Sequence, residues 1–427
     1  MSAYTTEHFH NLVQPDRVHR DVYTDPQIFE LEQQKVFGRV WIFIGHESLV
    51  PNVGDYYCTT LGRQPVVLSR DEAGKVHVLY NRCGHRGAKV LSKTRGNERV
   101  FMCMYHGWGF RPDGSLAGVP MRADFPKGVL EERGSGMVAV ARVESYRGFV
   151  FACEDPGVMP LRQFLGEAIG GIDELVDRAP DGEVEFWAGC HRYTYRGNWK
   201  LQMDNMADTY HPAACHASTV GPDGRQFKRR GGDEGGSAPF FAPNGESLVS
   251  QLGVRGFRNG HSSEQSMFDK EQRGGVMDEY RAIMVARHGE ERTAEIMKNR
   301  RHSLTLFPTL DILIAQTSVR VVKPIAVDLT EVEIWPVRLK GAPDVISTDL
   351  VRFVNITHSA SSFVQTDDLE AFERCHAGLR TQGSEWVLLA RGVGTEIAES
   401  DGVLLGPRSS EVGMRAKHAM WRDLMCA

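Results

Sequence analysis

Cysteine is scarce in this sequence, and neither sign of charge is in clear excess. Eight cysteines among 427 residues are too few for a disulfide framework. The 50 lysines and arginines nearly balance the 55 aspartates and glutamates, so the composition gives no sign of a basic surface for nucleic acid. No apolar run approaches the roughly 20 residues that cross a bilayer. We therefore expect a protein with no nucleic-acid partner and no membrane span.

The first residues lack the apolar core of a secretory signal. The segment from Met1 to Asp16 is polar and carries His8 and His10. Together with the few cysteines, this predicts a cytoplasmic protein whose thiols stay reduced. In such a compartment, cysteines that are grouped with histidines suggest a metal site.

The pattern of apolar residues predicts an α+β protein with two domains. Residues 1–39 contain a predicted helix, Pro26 to Phe37, and are expected to pack with the C-terminal domain. Residues 40–155 show short apolar runs between turns, which is typical of an all-β domain. Residues 156–427 mix helices with longer strands, which indicates an antiparallel sheet with helices. The length is sufficient for two domains.

Individual elements follow from the same periodicities. In the first domain we predict strands at 65–69, 76–80, 100–104, 138–143 and 148–152, with a turn at 95–97. In the second domain we predict helices at 161–176, 201–210, 366–379 and 410–425, and strands at 184–195, 310–322 and 330–337. The stretch 221–260 is rich in Gly, Pro, Arg and Ser, which predicts a long surface loop of the kind that often forms a lid.

Two cysteines and two histidines form paired motifs in the first domain. The pattern is C-x-H followed by C-x-x-H, formed by Cys83, His85, Cys103 and His106. Each motif follows a strand-like run and should lie at a loop tip, so both loops can face one metal centre. One Cys and one His in each loop suit a [2Fe-2S] cluster in which one iron takes both sulfurs and the other both nitrogens.

A zinc site is the alternative interpretation of these four residues. Zinc sites with two cysteines and two histidines usually begin C-x₂₋₄-C, with both sulfurs in one loop. Here the cysteines are divided between two loops. The spacing therefore favours the iron–sulfur cluster, and coincidental core residues are the other alternative.

Two further histidines, His211 and His216, suggest a second metal site. Five residues apart, they do not share one face of a regular helix. Pro212 should end or bend the helix near His211, which would let both imidazoles reach one metal. Asp208, three residues before His211, is predicted to accept a hydrogen bond from that imidazole and to orient it. Satisfied core histidines are the plainer alternative.

A distant aspartate, Asp368, is our candidate for the third ligand. It shares a helical stripe with Phe372, Cys375 and Leu379, so it should point inward, whereas Asp367 should not. Thr366 is a predicted N-cap, and acids in the first helical turn also suit the helix dipole without any metal. Two histidines and one carboxylate form the facial triad of non-haem Fe(II) oxygenases, which leaves positions for O2.

Taken together, the motifs resemble the large (alpha) subunit of the Rieske non-haem iron aromatic ring-hydroxylating oxygenases. The first resemblance lies in the four Cys and His residues with the Arg86-Gly87 and Tyr105-His106-Gly107-Trp108 contexts. The second lies in Asn198-Trp199-Lys200, the acid–Asn pair, Asp208-x-Tyr210-His211, His216 and Asp368. The family often has Glu before the Asn, where this chain has Asp204. The spacing is most similar to benzoate- and anthranilate-type members.

The resemblance implies a Rieske [2Fe-2S] cluster, a mononuclear Fe(II) and hydroxylation of a small aromatic substrate by O2. It also implies that Asp208 links His211 to the Rieske histidine of a neighbouring subunit, by a route from His106 through Asp208. The assembly would then be a homotrimer or an α₃β₃ complex with a small beta subunit. Ligand orientation alone is the alternative role of Asp208.

Electrons must come from outside, because the sequence contains no G-x-G-x-x-G nicotinamide fingerprint after a strand. We therefore expect a separate reductase or ferredoxin that passes on electrons from NAD(P)H. A Rieske-type electron carrier, the competing functional class, would leave the second site unexplained. A monooxygenase or O-demethylase is the alternative within the family.

The benzoate-type spacing favours an aromatic carboxylate as substrate. Such a substrate needs a cationic or hydrogen-bonding anchor. A basic run in the predicted lid offers one and comprises Arg225, Lys228, Arg229 and Arg230. A solvated basic loop is the alternative interpretation of this run.

Overall fold

The computed structural model describes residues 4–187, 189–216, 252–265, 274–298 and 300–427. The chain divides into two compact units, one of residues 37–161 and the other of residues 1–36 with 162–427. No helix among the described residues is both long and apolar enough to cross a membrane.

The N-terminal segment consists of short elements around one helix. They are α1 (Thr6–Leu12), β1 (Val13–Gln14), β2 (Arg17–His19), α2 (Asp21–Thr24) and α3 (Pro26–Lys35). Helix α3 begins where the Asp25 carboxylate accepts the N–H groups of Gln27 and Ile28, at 2.7 and 3.2 Å, with Pro26 in the first turn. The predicted helix is confirmed, although it ends two residues earlier than expected.

The unit of residues 37–161 is built mainly from short antiparallel strands. They are β3 (Ile42–His46), β4 (Asp55–Leu61), β5 (Gln64–Arg70), β6 (Val76–Tyr80), β7 (Arg95–Asn97), β8 (Phe101–Met102), β9 (Gly109–Phe110), β10 (Leu116–Gly118), β11 (Arg142–Tyr146) and β12 (Phe149–Cys153), with a short helix α4 (Val129–Glu132). The strands form three sheets, with orders β6-β5-β4-β7, β10-β9-β8 and β11-β12-β3.

Two predictions for this unit are wrong. The predicted turn at 95–97 is strand β7, which pairs with β4; Gly96 is needed there because a Cβ would lie 2.6 Å from the Tyr56 hydroxyl. The predicted strand at 138–143 is interrupted. Val138 and Val140 exchange backbone hydrogen bonds with β6, at 2.8 and 2.9 Å, before the chain leaves that edge and forms β11.

The remaining residues, 162–427, form a large antiparallel sheet with helices. After α5 (Leu161–Leu165), the described helices are α6 (Ile169–Asp177), α7 (Trp199–Asn205), α8 (Pro212–Cys215), α9 (Val276–His288), α10 (Glu290–Ile296), α11 (Asp344–Thr357), α12 (Gln365–Leu379) and α13 (Val412–Cys426). The strands are β13 (Val184–Glu185), β14 (His191–Tyr195), β15 (Leu252–Gly256), β16 (Ser262–Gln265), β17 (Arg301–Leu306), β18 (Leu310–Leu313), β19 (Ser318–Ala326), β20 (Leu329–Pro336), β21 (Arg338–Leu339), β22 (Trp386–Leu388), β23 (Ile397–Ala398) and β24 (Leu404–Pro407).

Nine of these strands form one sheet, in the order β14-β20-β19-β18-β17-β16-β15-β24-β23. One of its faces packs against helices through an apolar cluster that includes Tyr195 of β14, Ile334 of β20, Val354 of α11 and Phe372 of α12. This packing fixes α12, the helix that carries Asp368, against the sheet.

Several boundaries differ from the sequence predictions. The helix expected at 201–210 is α7 and ends at Asn205, before a non-helical segment that leads to the short helix α8. Residues 252–256, predicted as loop, form strand β15 between β16 and β24. The rest of the predicted lid up to residue 251, including the basic run at 225–230, lies outside the described residues.

A buried carboxylate ties three helices together. Glu32 of α3 is fully buried and accepts hydrogen bonds from Trp199 Nε1 at 2.9 Å, Lys200 Nζ at 2.5 Å and Trp421 Nε1 at 2.7 Å. These donors lie on α7 and on the C-terminal helix α13. Burial lowers the pKa of Lys200, an effect that Glu32 opposes. Asp204, at the end of α7, accepts from Tyr23 and His418 at 2.8 and 3.2 Å.

Replacing Glu32 should destabilise this unit strongly. Glu32→Leu leaves the Lys200 ammonium buried without its carboxylate, which costs about 3–5 kcal/mol. We expect a clear fall in the midpoint of thermal unfolding, measured by circular dichroism. Glu30→Gln, in the same helix but at an exposed position, is the control. Equal midpoints for the two variants would contradict the anchoring role of Glu32.

Candidate metal centres

Two loops of the 37–161 unit carry the side chains of the first predicted centre. They are Cys83 and His85 after β6, and Cys103 and His106 after β8. Both loops are closed in the same way, by N–H groups of Gly87 and Gly107 that donate to the cysteine carbonyls four residues earlier, each at 3.0 Å. These glycines have φ of 76° and 68°, which side chains disfavour. The two motifs therefore have matching loop geometry.

The two histidine rings of these loops lie together. The ring centroids of His85 and His106 are 4.6 Å apart, and His85 stacks on Trp108 with an interplanar angle of 4°. His85 Nδ1 is buried and has no hydrogen-bond partner among the described residues. Desolvation and the neighbouring His85 lower the pKa of His106, which favours the neutral form that binds metals.

The two thiols are also neighbours, and both are buried. Burial raises the pKa of the Cys83 thiol, and the adjacent Cys103 thiol raises it further, whereas the backbone N–H groups of His85 and Arg86 at its sulfur lower it. A pair of buried sulfurs, one of which receives backbone N–H groups, lies beside two imidazoles and fits the ligand set of a [2Fe-2S] cluster of the Rieske type.

The three residues of the second predicted centre converge, although they come from separate elements. His211 immediately precedes α8, His216 immediately follows it, and Asp368 lies in the first turn of α12. Asp368 Oδ1 lies 3.6 Å from His211 Nε2 and 3.4 Å from His216 Nε2. One ligand atom from each residue lies within 4.8 Å of the other two, so the group can hold a metal ion.

The other nitrogen of each imidazole determines which atom faces this point. His211 Nδ1 donates to the Asp208 carbonyl oxygen at 2.9 Å, and His216 Nδ1 donates to Asp367 Oδ2 at 3.3 Å. A carbonyl or an ionised carboxylate only accepts, so each Nδ1 carries the proton. In each imidazole Nε2 is therefore the nitrogen that faces Asp368 and that can coordinate a metal when the ring is neutral.

Asn205, at the end of α7, contacts both Asp368 and His211. Its Nδ2 donates to Asp368 Oδ1 at 3.1 Å and lies 3.2 Å from His211 Nε2. Asn205 belongs to the acid–Asn pair of the sequence motif, but the sequence predicted no role for it. Asp367 was predicted not to point inward, yet it orients His216. Both roles depend on contacts between elements distant in sequence.

The local charges match a cation site. Burial alone would raise the pKa of Asp368, but His216, His211 and Arg320 hold it below its ordinary value. Burial would likewise lower the pKa of His216, but Asp368 and Asp367 raise it. The carboxylate is thus ionised at neutral pH and available as a ligand.

Asp208 accepts a hydrogen bond from the His211 imidazole, as predicted, but through its backbone carbonyl. Its carboxylate accepts the N–H groups of Tyr210 and His211 at 2.9 and 3.0 Å. This turn is possible because α7 has already ended. Two other details of the prediction are wrong. Cys375 is exposed, so the buried stripe of α12 runs through Asp368 and Phe372 to His376 instead.

The second wrong detail concerns the beginning of α12. Thr366 is not its N-cap, because the Thr366 hydroxyl donates to the Ser362 carbonyl at 2.6 Å. The Ser362 hydroxyl instead accepts the N–H of Gln365 at 3.0 Å. The capping side chain therefore lies four residues earlier than predicted.

Two buried acids face the same side of the sheet as the second centre. Burial raises the pKa of Glu264 to about 8, and Asp311 and Asp208 raise it as well. Burial also raises the pKa of Asp311 to about 7, despite the opposing charges of Arg320 and Lys417. Both carboxyls therefore hold protons that ordinary surface acids have lost at neutral pH.

Family comparisons cover most of the chain. Residues 40–143 match the model of the Rieske [2Fe-2S] domain, and residues 184–427 match the ring hydroxylating alpha subunit (catalytic domain). These matches confirm the predicted order of the domains. Naphthalene 1,2-dioxygenase from Rhodococcus sp., solved with bound indole, superimposes with a TM-score of 0.81 at 24% identity, over 96% of this chain and 94% of that one. The likeness confirms the predicted α+β fold.

Characterised relatives are similar over nearly their whole length. The chain is 33% identical to the anthranilate 1,2-dioxygenase large subunit of Acinetobacter baylyi, over 88% of this chain and 80% of the relative. It is 31% identical to the 2-halobenzoate 1,2-dioxygenase large subunit of Burkholderia cepacia, over 96% and 89%. It is also 31% identical to the toluate 1,2-dioxygenase subunit alpha of Pseudomonas putida, over 96% and 91%.

The raised pKa values of Glu264 and Asp311 predict how stability changes with pH. Folded Glu264 and Asp311 keep their protons up to about pH 8 and 7, whereas the unfolded chain loses them near its ordinary values of 4.5 and 3.8. Their contribution to the free energy of unfolding is therefore fully present below about pH 4. It declines as pH rises from the unfolded-state pKa values to the folded-state values. Glu264→Gln and Asp311→Asn should flatten the decline in unfolding midpoint, measured calorimetrically.

Glu333→Gln is the control for this experiment. Glu333 is also buried in the sheet, but Lys323 and Arg192 outweigh burial and hold its pKa below the ordinary value. Its contribution is lost as pH falls below its ordinary pKa, so its replacement should not flatten the decline between about pH 4 and 8. Unchanged slopes in all three variants would contradict the assignment.

Proposed function

This chain belongs to the ring-hydroxylating oxygenases, as an alpha subunit with a Rieske [2Fe-2S] domain, and on that basis we propose that it hydroxylates an aromatic carboxylate. The reaction uses O2 and electrons from a separate reductase or ferredoxin, and its product is a cis-dihydrodiol. The relatives named above are dioxygenases of halobenzoate, anthranilate and toluate, which supports this substrate class.

In our proposal, Cys83 and Cys103 hold one iron of the cluster and His85 and His106 hold the other. A cluster held by these residues would supply one electron at a time. Neutral imidazoles in place of two thiolates reduce the negative charge around it and raise its reduction potential. The backbone N–H groups at the Cys83 sulfur act in the same direction, because they stabilise added negative charge.

We assign the mononuclear iron to His211, His216 and Asp368. The convergence of their three ligand atoms within 4.8 Å is the observation that carries the proposed function. An iron bound there supplies coordination positions for O2. The protein's contribution is orientation: the Asp208 carbonyl and the Asp367 carboxylate fix the imidazoles, and Asn205 holds Asp368.

The proposed domain division follows the sequence: residues 1–39 pack with the catalytic domain 156–427, and residues 40–155 form the Rieske domain. We also propose a trimer, alone or with beta subunits, in which the Asp208 carboxylate links His211 to His106 of the neighbouring subunit. A cytoplasmic location agrees with the eight cysteines, none of which forms a disulfide.

Product analysis under labelled O2 tests the function. With benzoate-type acids and a surrogate reductase, we expect both labelled atoms in the product, whereas one atom would indicate the alternative monooxygenase or demethylase. Asp368→Ala should lose the mononuclear iron and keep the cluster absorption, so iron content should fall from about three to about two per chain. Full activity in this variant would defeat the assignment.

Asp208→Asn tests the proposed link between subunits. The amide oxygen of Asn can still accept the N–H groups of Tyr210 and His211, so both metals should stay bound. The loss of charge should stop transfer, so product formation should fall at least about a hundredfold. Reduction of the cluster by dithionite should be unchanged. Product formation at the native rate would exclude the bridging role.

A further inference from the structure

A row of polar side chains crosses one face of the nine-stranded sheet. We call it the polar strip, and it consists of Ser262 and Glu264 on β16, Ser303 and Thr305 on β17, Asp311 on β18 and Arg320 on β19. The register shows that they share a face: Glu264 is opposite Ser303, and Ser262, Thr305, Asp311 and Arg320 lie opposite one another in turn. A sheet face that packs against helices is ordinarily apolar.

The polar strip is buried, and much of it is unsatisfied. All six side chains are at most 7% exposed. Ser262 Oγ, Glu264 Oε1, Ser303 Oγ, Asp311 Oδ2 and Arg320 Nε nevertheless have no hydrogen-bond partner among the described residues. Buried polar atoms without partners are rare and costly. The presence of five such atoms on one face of the sheet therefore indicates a bound polar molecule.

The strip lies beside the segment that holds the second metal centre. The Thr305 hydroxyl is 3.5 Å from the carbonyl oxygen of Met206, which follows Asn205. Arg320 donates to Gln365 Oε1 at 3.1 Å, three residues before Asp368. A Cβ at Gly413 would lie 2.9 Å from that of Ser262 and 3.2 Å from that of Ala207, next to Asp208.

Not every part of the strip is equally available to a ligand. Asp311 Oδ1 already accepts from Thr305 at 3.1 Å, and Arg320 lies opposite Asp311 on the neighbouring strand. Glu264 is at the other end of the strip. Ser303, Lys417 and Arg408 are near enough to interact with its carboxyl group, but its Oε1 has no hydrogen-bond partner among the described residues.

We propose that Glu264, with Ser303 beside it, binds an N–H or O–H group on the ring of the substrate, so that the enzyme prefers amino- or hydroxy-substituted aromatic carboxylates. This rests on the proposed function. A bare ring or a halogen leaves Glu264 Oε1 unpaired, whereas an amino or hydroxyl substituent donates to it. A site built around a buried hydrogen-bonding group discriminates against analogues that lack the partner.

Binding of unreacted ligands to the intact protein tests this directly. Calorimetric titration without reductant compares benzoate with the three aminobenzoates and the three hydroxybenzoates. In the wild type, at least one substituted acid should bind about tenfold or more tightly than benzoate. Glu264→Met, which keeps the volume but removes both oxygens, should abolish this preference.

Glu264→Gln and Glu333→Gln complete the set. Glu264→Gln keeps an acceptor oxygen and should retain part of the preference. Glu333→Gln changes a buried glutamate that is bound by Arg192 and Lys323, and it should retain all of it. Cluster absorption and the midpoint of unfolding report whether each variant is folded. If Glu264→Met is insoluble, the affinities of the wild type for benzoate and for the substituted acids still test the preference.

Two results would overturn the inference. One is a wild-type preference below about twofold, and the other is a preference that survives Glu264→Met; either would mean that the strip binds only water. If no aromatic acid binds to the wild type at all, the substrate class in the proposed function fails as well. Tight binding of benzoate without preference would leave that class standing and remove only the role of Glu264.

Discussion

One carboxylate oxygen, Asp368 Oδ1, organises the second metal centre. It lies 3.4 and 3.6 Å from the two imidazole nitrogens and accepts a hydrogen bond from Asn205 at 3.1 Å. An ionised group at this depth is stable only among donors or cations. The burial that makes this charge costly alone would make it a strong ligand for a cation held between it and the two imidazoles.

Hydrogen bonds at the opposite ring nitrogen, Nδ1, fix the orientation of both imidazoles. The Asp208 carbonyl and the Asp367 carboxylate hold the two Nδ1–H groups, so neither imidazole can rotate without losing a hydrogen bond. Farther out, Glu32 joins α7 to α3 and α13, and so fixes the helix whose last residue is Asn205. The termini of the chain thus stabilise a site in its middle, through polar groups that are buried and paired.

Local patterns predicted much of the architecture, and their failures have identifiable causes. Helix α3 follows from its Asp25 cap and periodic apolar residues, and α12 from its buried stripe. The helix expected to reach Tyr210 stops at Asn205, because the Asp208 carboxylate caps the following turn. Residues 95–97 were predicted as a turn because of Gly96. Only the pairing of strand β7 with β4 shows that this glycine leaves room for a side chain of β4. Such pairings join residues that no short window contains.

The residue types and their spacing were enough to predict both ligand sets, because few side chains bind iron and their order along the chain is characteristic. They were also enough to recognise the family. Which atom of each ligand faces the metal depended on the folded chain, as did the roles of Asn205 and Asp367. The alignment of Glu264 with Ser303 across two strands likewise came only from the sheet. Hydrogen bonds act over about 3 Å in space, and sequence distance carries no information about them.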